Sequence, residues 1–90
     1  MSSKLWKIVY TKQGLKDKRT ACEAGFSDKI KSLLETVRNN PYEEYPPFEK
    51  LTGDLSGAYS RRINRQHRFV YQIYKEEHTV KVISMWTHYD

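Results

Sequence analysis

Phe26, Ile30, Leu33, Leu34 and Val37 fall at i, i+4, i+7, i+8 and i+11. This spacing places all five on one face of an α-helix, and such a helix needs an apolar surface to lie on. Ser27 is placed to cap it, and Asn39-Asn40-Pro41 ends it, because the residue before a proline disfavours helix. A first helix, capped by Thr11 and reaching about Ala24, precedes it; its apolar residues (Leu15, Ala21, Cys22) are few, and Gly25 is a fitting stop. Before that, Leu5-Trp6-Lys7-Ile8-Val9-Tyr10 is aromatic and β-branched, as a strand requires.

Residues 41–58 hold all three prolines and read as a long irregular loop, pinned to the body by Tyr42, Tyr45, Phe48, Leu51 and Leu55. Strands follow at 59–63, 68–74 and 79–87, separated by the turns 64–67 and 75–78. This order predicts a single α+β domain over residues 1–90, an antiparallel sheet of about four strands with two N-terminal helices packed on one face. Alternation puts Phe69, Tyr71 and Ile73 toward the helices and Arg68, Val70 and Gln72 on the open face. The same counting puts Val82, Ser84, Trp86 and His88 on one face of the last strand.

The net charge of +5 suggests a polyanionic partner, nucleic acid or acidic protein, and its distribution says more than the total. Residues 41–58 carry one lysine against four acids, whereas 61–68 hold four of the six arginines. With Cys22 as the single cysteine, no internal disulfide can form, which fits a reducing cytoplasm. No apolar run is long enough for a membrane span or a signal peptide.

On the open face, Arg62, Arg68 and His88 come from three segments, and the acidic loop can bring Glu49 to the rim. Cutting RNA needs a base for the 2′-hydroxyl, an acid for the departing 5′-oxygen and cations for the phosphate. A Glu and a His can form the base–acid pair without metal. Arginine meets two phosphate oxygens at once and keeps its charge. By themselves, arginine-rich strands of this kind more often bind phosphates than cleave them. One cysteine and scattered histidines argue against zinc; no Gly-rich phosphate loop is present; and RQHRFVYQ lacks the small residues of an RNA-recognition motif.

Several linked motifs are more specific: Glu49-Lys50-Leu51, then Leu55-Ser56-Gly57-Ala58-Tyr59-Ser60-Arg61-Arg62-Ile63, then His67-Arg68-Phe69-Val70-Tyr71, and the terminal His88-Tyr89. This C-terminal half resembles the YoeB/Txe family of bacterial toxins, within the RelE group of toxin–antitoxin ribonucleases. The resemblance implies the microbial-ribonuclease fold and a metal-independent, cofactor-free endoribonuclease that cuts mRNA in the ribosomal A site. It implies neutralisation by a cognate YefM-like antitoxin and contact with operator DNA only through the antitoxin complex, and it is compatible with a homodimer. It gives Glu49 as general base, His88 as general acid, Arg68 as the main phosphate-stabilising cation with Arg62 in support, and Tyr89 as a substrate-positioning residue. Lys50, Thr52, Arg61 and Arg65 are further candidates for RNA contact; the family often has a basic residue where Thr52 stands. Asp90 adds one residue beyond the usual His-Tyr end. Arg61 points opposite to Arg62 by alternation, so the two cannot serve one phosphate. His67 reads as a structural turn residue and His78 as an inert one. The competing reading is a non-catalytic member of the fold that binds RNA, the ribosome or an antitoxin and acts in transcriptional autoregulation.

Overall fold

A computed structural model of the chain describes residues 4–87. Strand β1 (Lys7–Tyr10) leads into helix α1 (Lys12–Ala21), a π-helical turn (Cys22–Phe26) and helix α2 (Ser27–Asn39). Strand β2 (Phe48–Lys50), a 3-10 turn (Gly53–Leu55), β3 (Ala58–Arg62), β4 (Arg68–Tyr74) and β5 (Thr79–Thr87) complete it. The strands form one sheet in the order β1-β5-β4-β3-β2. No helix among the described residues is long and apolar enough to cross a membrane.

The sheet departs from the expected four antiparallel strands in two ways. It has five strands, because Phe48–Lys50 inside the proline-rich segment pairs antiparallel with β3. It is also mixed, because β1 lies parallel to β5, with Ile8 opposite Val80. Alternation reveals which face a residue takes but not the direction of its neighbour, and β1 is followed by helices rather than by a hairpin turn. The helices also differ from the expectation. The run from Lys12 to Asn39 continues with no intervening loop and bends at Gly25, whose φ of 95° is open to glycine. The residue before α2 is Phe26, with no side-chain capping bond, so Ser27 is not the cap.

Thr11 caps α1 as expected, its Oγ1 accepting from Gly14 N at 2.9 Å. The same hydroxyl donates to the Ile83 carbonyl at 2.6 Å, and Thr11 N donates to Val82 O at 3.0 Å. One turn on, the Asp17 carboxylate accepts from Met85 N at 3.1 Å and from Gln13 Nε2 at 2.7 Å. Strand β1 thus covers the edge of β5 as far as Val82, and α1 satisfies its backbone groups beyond that. The helix approaches so closely that a Cβ on Gly14 would stand 2.5 Å from Val82 O.

Ile30, Leu33, Leu34 and Val37 of α2 pack on Phe69, Tyr71, Val80, Val82 and Met85 of the sheet, the face that alternation assigned to β4. Register shifts in the β4–β5 pairing lie between Arg68 and Tyr71. They break the alternation expected for β5: Val82 lies opposite Tyr71 in the core, Ser84 lies opposite Val70, and Trp86 packs back against the core.

Candidate functional site

The site begins with two adjacent arginines that β3 sends to opposite faces. Arg61 is fully buried, at 0% exposure. Its Nε donates to Tyr71 Oη at 2.9 Å, its Nη2 to the carbonyls of Pro41 (3.1 Å) and Glu43 (2.7 Å), and its Nη1 to the Pro46 carbonyl. The guanidinium also lies over the Phe48 ring, 5.0 Å from its centroid. Tyr71 Oη passes its own proton to Pro41 O at 3.1 Å. Burial raises the Tyr71 pKa above 10.0, and the Arg61 charge and hydrogen bond partly offset the rise. Arg61 is therefore corrected from an RNA contact to an internal tie. A buried cation with no carboxylate beside it among the described residues is tolerable because carbonyl oxygens and aromatic faces surround it.

That tie fixes the path of residues 41–46 and so the entry into β2, which carries Glu49. Glu49 lies opposite Ser60, and Arg62 lies directly opposite Arg68. The Arg68 Nη1 donates to Glu49 Oε1 at 3.0 Å and more weakly to Ser60 Oγ at 3.4 Å. Two cations facing each other across a strand pair repel, and the Glu49 carboxylate offsets this at Arg68. These side chains line a pocket of about 200 Å³, together with Pro46, Pro47 and Lys29 from the first turn of α2. Arg68 is one-fifth exposed and Glu49 nearly two-thirds, so their ion pair contributes at most ~1 kcal/mol. An incoming phosphate that offers Arg68 two oxygens displaces Glu49 at little cost and frees its carboxylate.

The structure thus brings Glu49, Arg62 and Arg68 together as the sequence predicts. Lys50, Thr52 and Arg65 are exposed but do not line the pocket. His88 and Tyr89 lie outside the described residues; Thr87, which precedes them in the chain, pairs with Arg68. His67 is structural, as expected: Asn64 Oδ1 accepts from Gln66 N (2.8 Å) and His67 N (2.7 Å), and the imidazole stacks on Trp86 at 3.8 Å. His78 is not idle. At φ 53° it stacks on Trp6 at 3.9 Å and holds the Lys4 carbonyl at 3.0 Å. Sequence reasoning missed Ser60 and Lys29. Alternation along β3 places Ser60 beside Arg62 and could have found it; nothing in the sequence marks Lys29. A larger groove of about 380 Å³ between the helices contains none of the expected residues.

Solved structures similar to this one include bacterial toxins. The YoeB/ParE toxin from Agrobacterium tumefaciens superposes with a TM-score of 0.83 at 30% identity, over 92% of this chain and 99% of that one. YoeB from Staphylococcus aureus, solved as a dimer and in a YoeB–YefM complex, gives a TM-score of 0.77 at 33% identity, over 93% of this chain and 98% of that one. Among sequences, toxin YoeB of Synechocystis sp. is 36% identical over 61 residues, covering 68% of this chain and 69% of that protein. Residues 10–89 match the family described as YoeB-like toxin of bacterial type II toxin-antitoxin system. The chain belongs to this family and is a toxin of that class.

Proposed function

We propose that this toxin is an endoribonuclease that cuts mRNA in the ribosomal A site and is held inactive by a YefM-like antitoxin. The observation that carries the reading is the pocket in which the Glu49 carboxylate lies 3.0 Å from Arg68, with Arg62 directly across the strand pair. Glu49 takes the proton of a 2′-hydroxyl, and the 2′-oxygen attacks the adjacent phosphorus. The bond to the 5′-oxygen breaks, that oxygen leaves with a proton from His88, and a 2′,3′-cyclic phosphate remains. Arg68 and Arg62 bind the non-bridging oxygens as charge builds on them, and Tyr89 positions the substrate. Neither proton transfer calls for a metal held by the toxin. An antitoxin segment that neutralises the pocket must be at least partly acidic, and the homodimer of the S. aureus relative is the assembly to test for this chain.

Primer extension on a defined mRNA, free and in a translating extract, tests this. Cuts within the reading frame, made only during translation and lost in Glu49→Gln, Arg68→Ala and His88→Ala, are the expected result. Absence of cuts under both conditions by the folded wild type leaves the non-catalytic binding reading instead.

A further inference from the structure

We infer that Lys29 is a substrate-binding residue of this pocket, holding a second backbone phosphate of the RNA from outside the sheet; the inference rests on the ribonuclease reading above. Lys29 lines the same pocket as Glu49, Arg62 and Arg68 but comes from the first turn of α2. Glu49 is matched to Arg68 at 3.0 Å. Neither Arg62 nor Lys29 has a carboxylate within ion-pair distance among the described residues. The lining side chains therefore leave two positive charges without a counter-charge. Arg62, opposite Arg68, answers the charge that builds on the phosphate being cut, which leaves Lys29 to meet a neighbouring phosphate.

The position of Lys29 within its helix points the same way. The N-terminal turn of a helix carries partial positive charge and disfavours a cation. Asp28, in the same turn, follows that rule and Lys29 breaks it. Lys29 is exposed and has no hydrogen bond or ion pair among the described residues that would offset the cost. A local rule broken with no structural return is a mark of a functional position. The residue type decides the role. Lysine is a compact point charge on a flexible stem, suited to holding a phosphate at a distance, whereas the planar forks of Arg62 and Arg68 suit the reacting one.

The test compares Lys29→Met, Lys29→Arg and, as a control, Lys31→Met, whose lysine lines the groove between the helices. Each variant is titrated with a 2′-O-methylated RNA oligonucleotide over a range of salt, and cleavage is followed in the translating extract against toxin concentration. Lys29→Met is expected to weaken binding about three- to tenfold at low salt and to reduce the slope of log K against log salt by about 0.7, one single-strand phosphate contact. It raises the toxin concentration for half-maximal cleavage and leaves the maximal rate unchanged. Lys29→Arg keeps the wild-type slope, and so does Lys31→Met. An unchanged slope in Lys29→Met, or equal losses in Lys29→Met and Lys31→Met, overturns the inference. Failure of the underlying reading shows separately, as Glu49→Gln and Arg68→Ala that cut like wild type.

Discussion

At the scale of single residues, two neighbours of identical chemistry have unrelated jobs. Arg61 is sealed inside with four hydrogen bonds, and Arg62 faces the pocket. Strand alternation makes that division legible in the sequence, but not the acceptors of Arg61, which lie 10 to 20 residues away along the chain. Arg61→Met strands several buried carbonyls and is expected to cost roughly 3 kcal/mol or more in urea unfolding. Arg62→Met is expected to change stability by no more than about 0.5 kcal/mol and to lower cleavage. Tyr71 gives a pH signature. Burial raises its pKa in the folded protein, so the folded state favours the neutral phenol. Its contribution to stability is complete below about pH 10 and is lost as the pH rises above that, because the unfolded chain ionises first. Melting temperature against pH, with phenolate absorbance followed alongside, should show one tyrosine that ionises only as the protein unfolds.

At the scale of elements, the meander was readable because each strand carries its own alternation and its own polar turn. The fifth strand was not: three residues are too few to show a period, and β2 exists because β3 and the Arg61 tie hold it in place. The bulges in β5 were equally hidden, since an extra residue leaves no mark in composition but reverses every face beyond it. Helix α1 also does more than its sparse apolar pattern suggests. Thr11 and Asp17 complete the edge of β5, and Gly14 lets the backbones meet. Gly14→Ala is expected to destabilise by about 1–3 kcal/mol despite alanine's better helix propensity, because the new methyl meets a backbone carbonyl. Thermal unfolding of that variant, with Gly25→Ala as a comparison in which a new Cβ meets nothing within 4 Å but suffers the positive φ, separates contact from conformation.

At the scale of the whole molecule, the net charge of +5 conceals a division of labour. The acidic loop does not dilute the basic surface. It brings one carboxylate against Arg68 and leaves Arg62 and Lys29 without one among the described residues. Affinity for RNA oligonucleotides should therefore fall steeply with salt in both wild type and Glu49→Gln, while cleavage is lost only in the latter; filter binding and primer extension on the same preparations check this. The Arg61 tie has one more consequence. It grips the segment between α2 and β2 by main-chain oxygens at positions 41, 43 and 46, which every amino acid supplies alike. The exposed Glu43 and Glu44 can be re-lettered, but the stretch cannot be re-measured: a loop of equal length that keeps the buried Pro41, the Tyr42 ring on Trp6 and Tyr59, and the prolines of the pocket still delivers Glu49 to its post, and one with a single inserted residue does not.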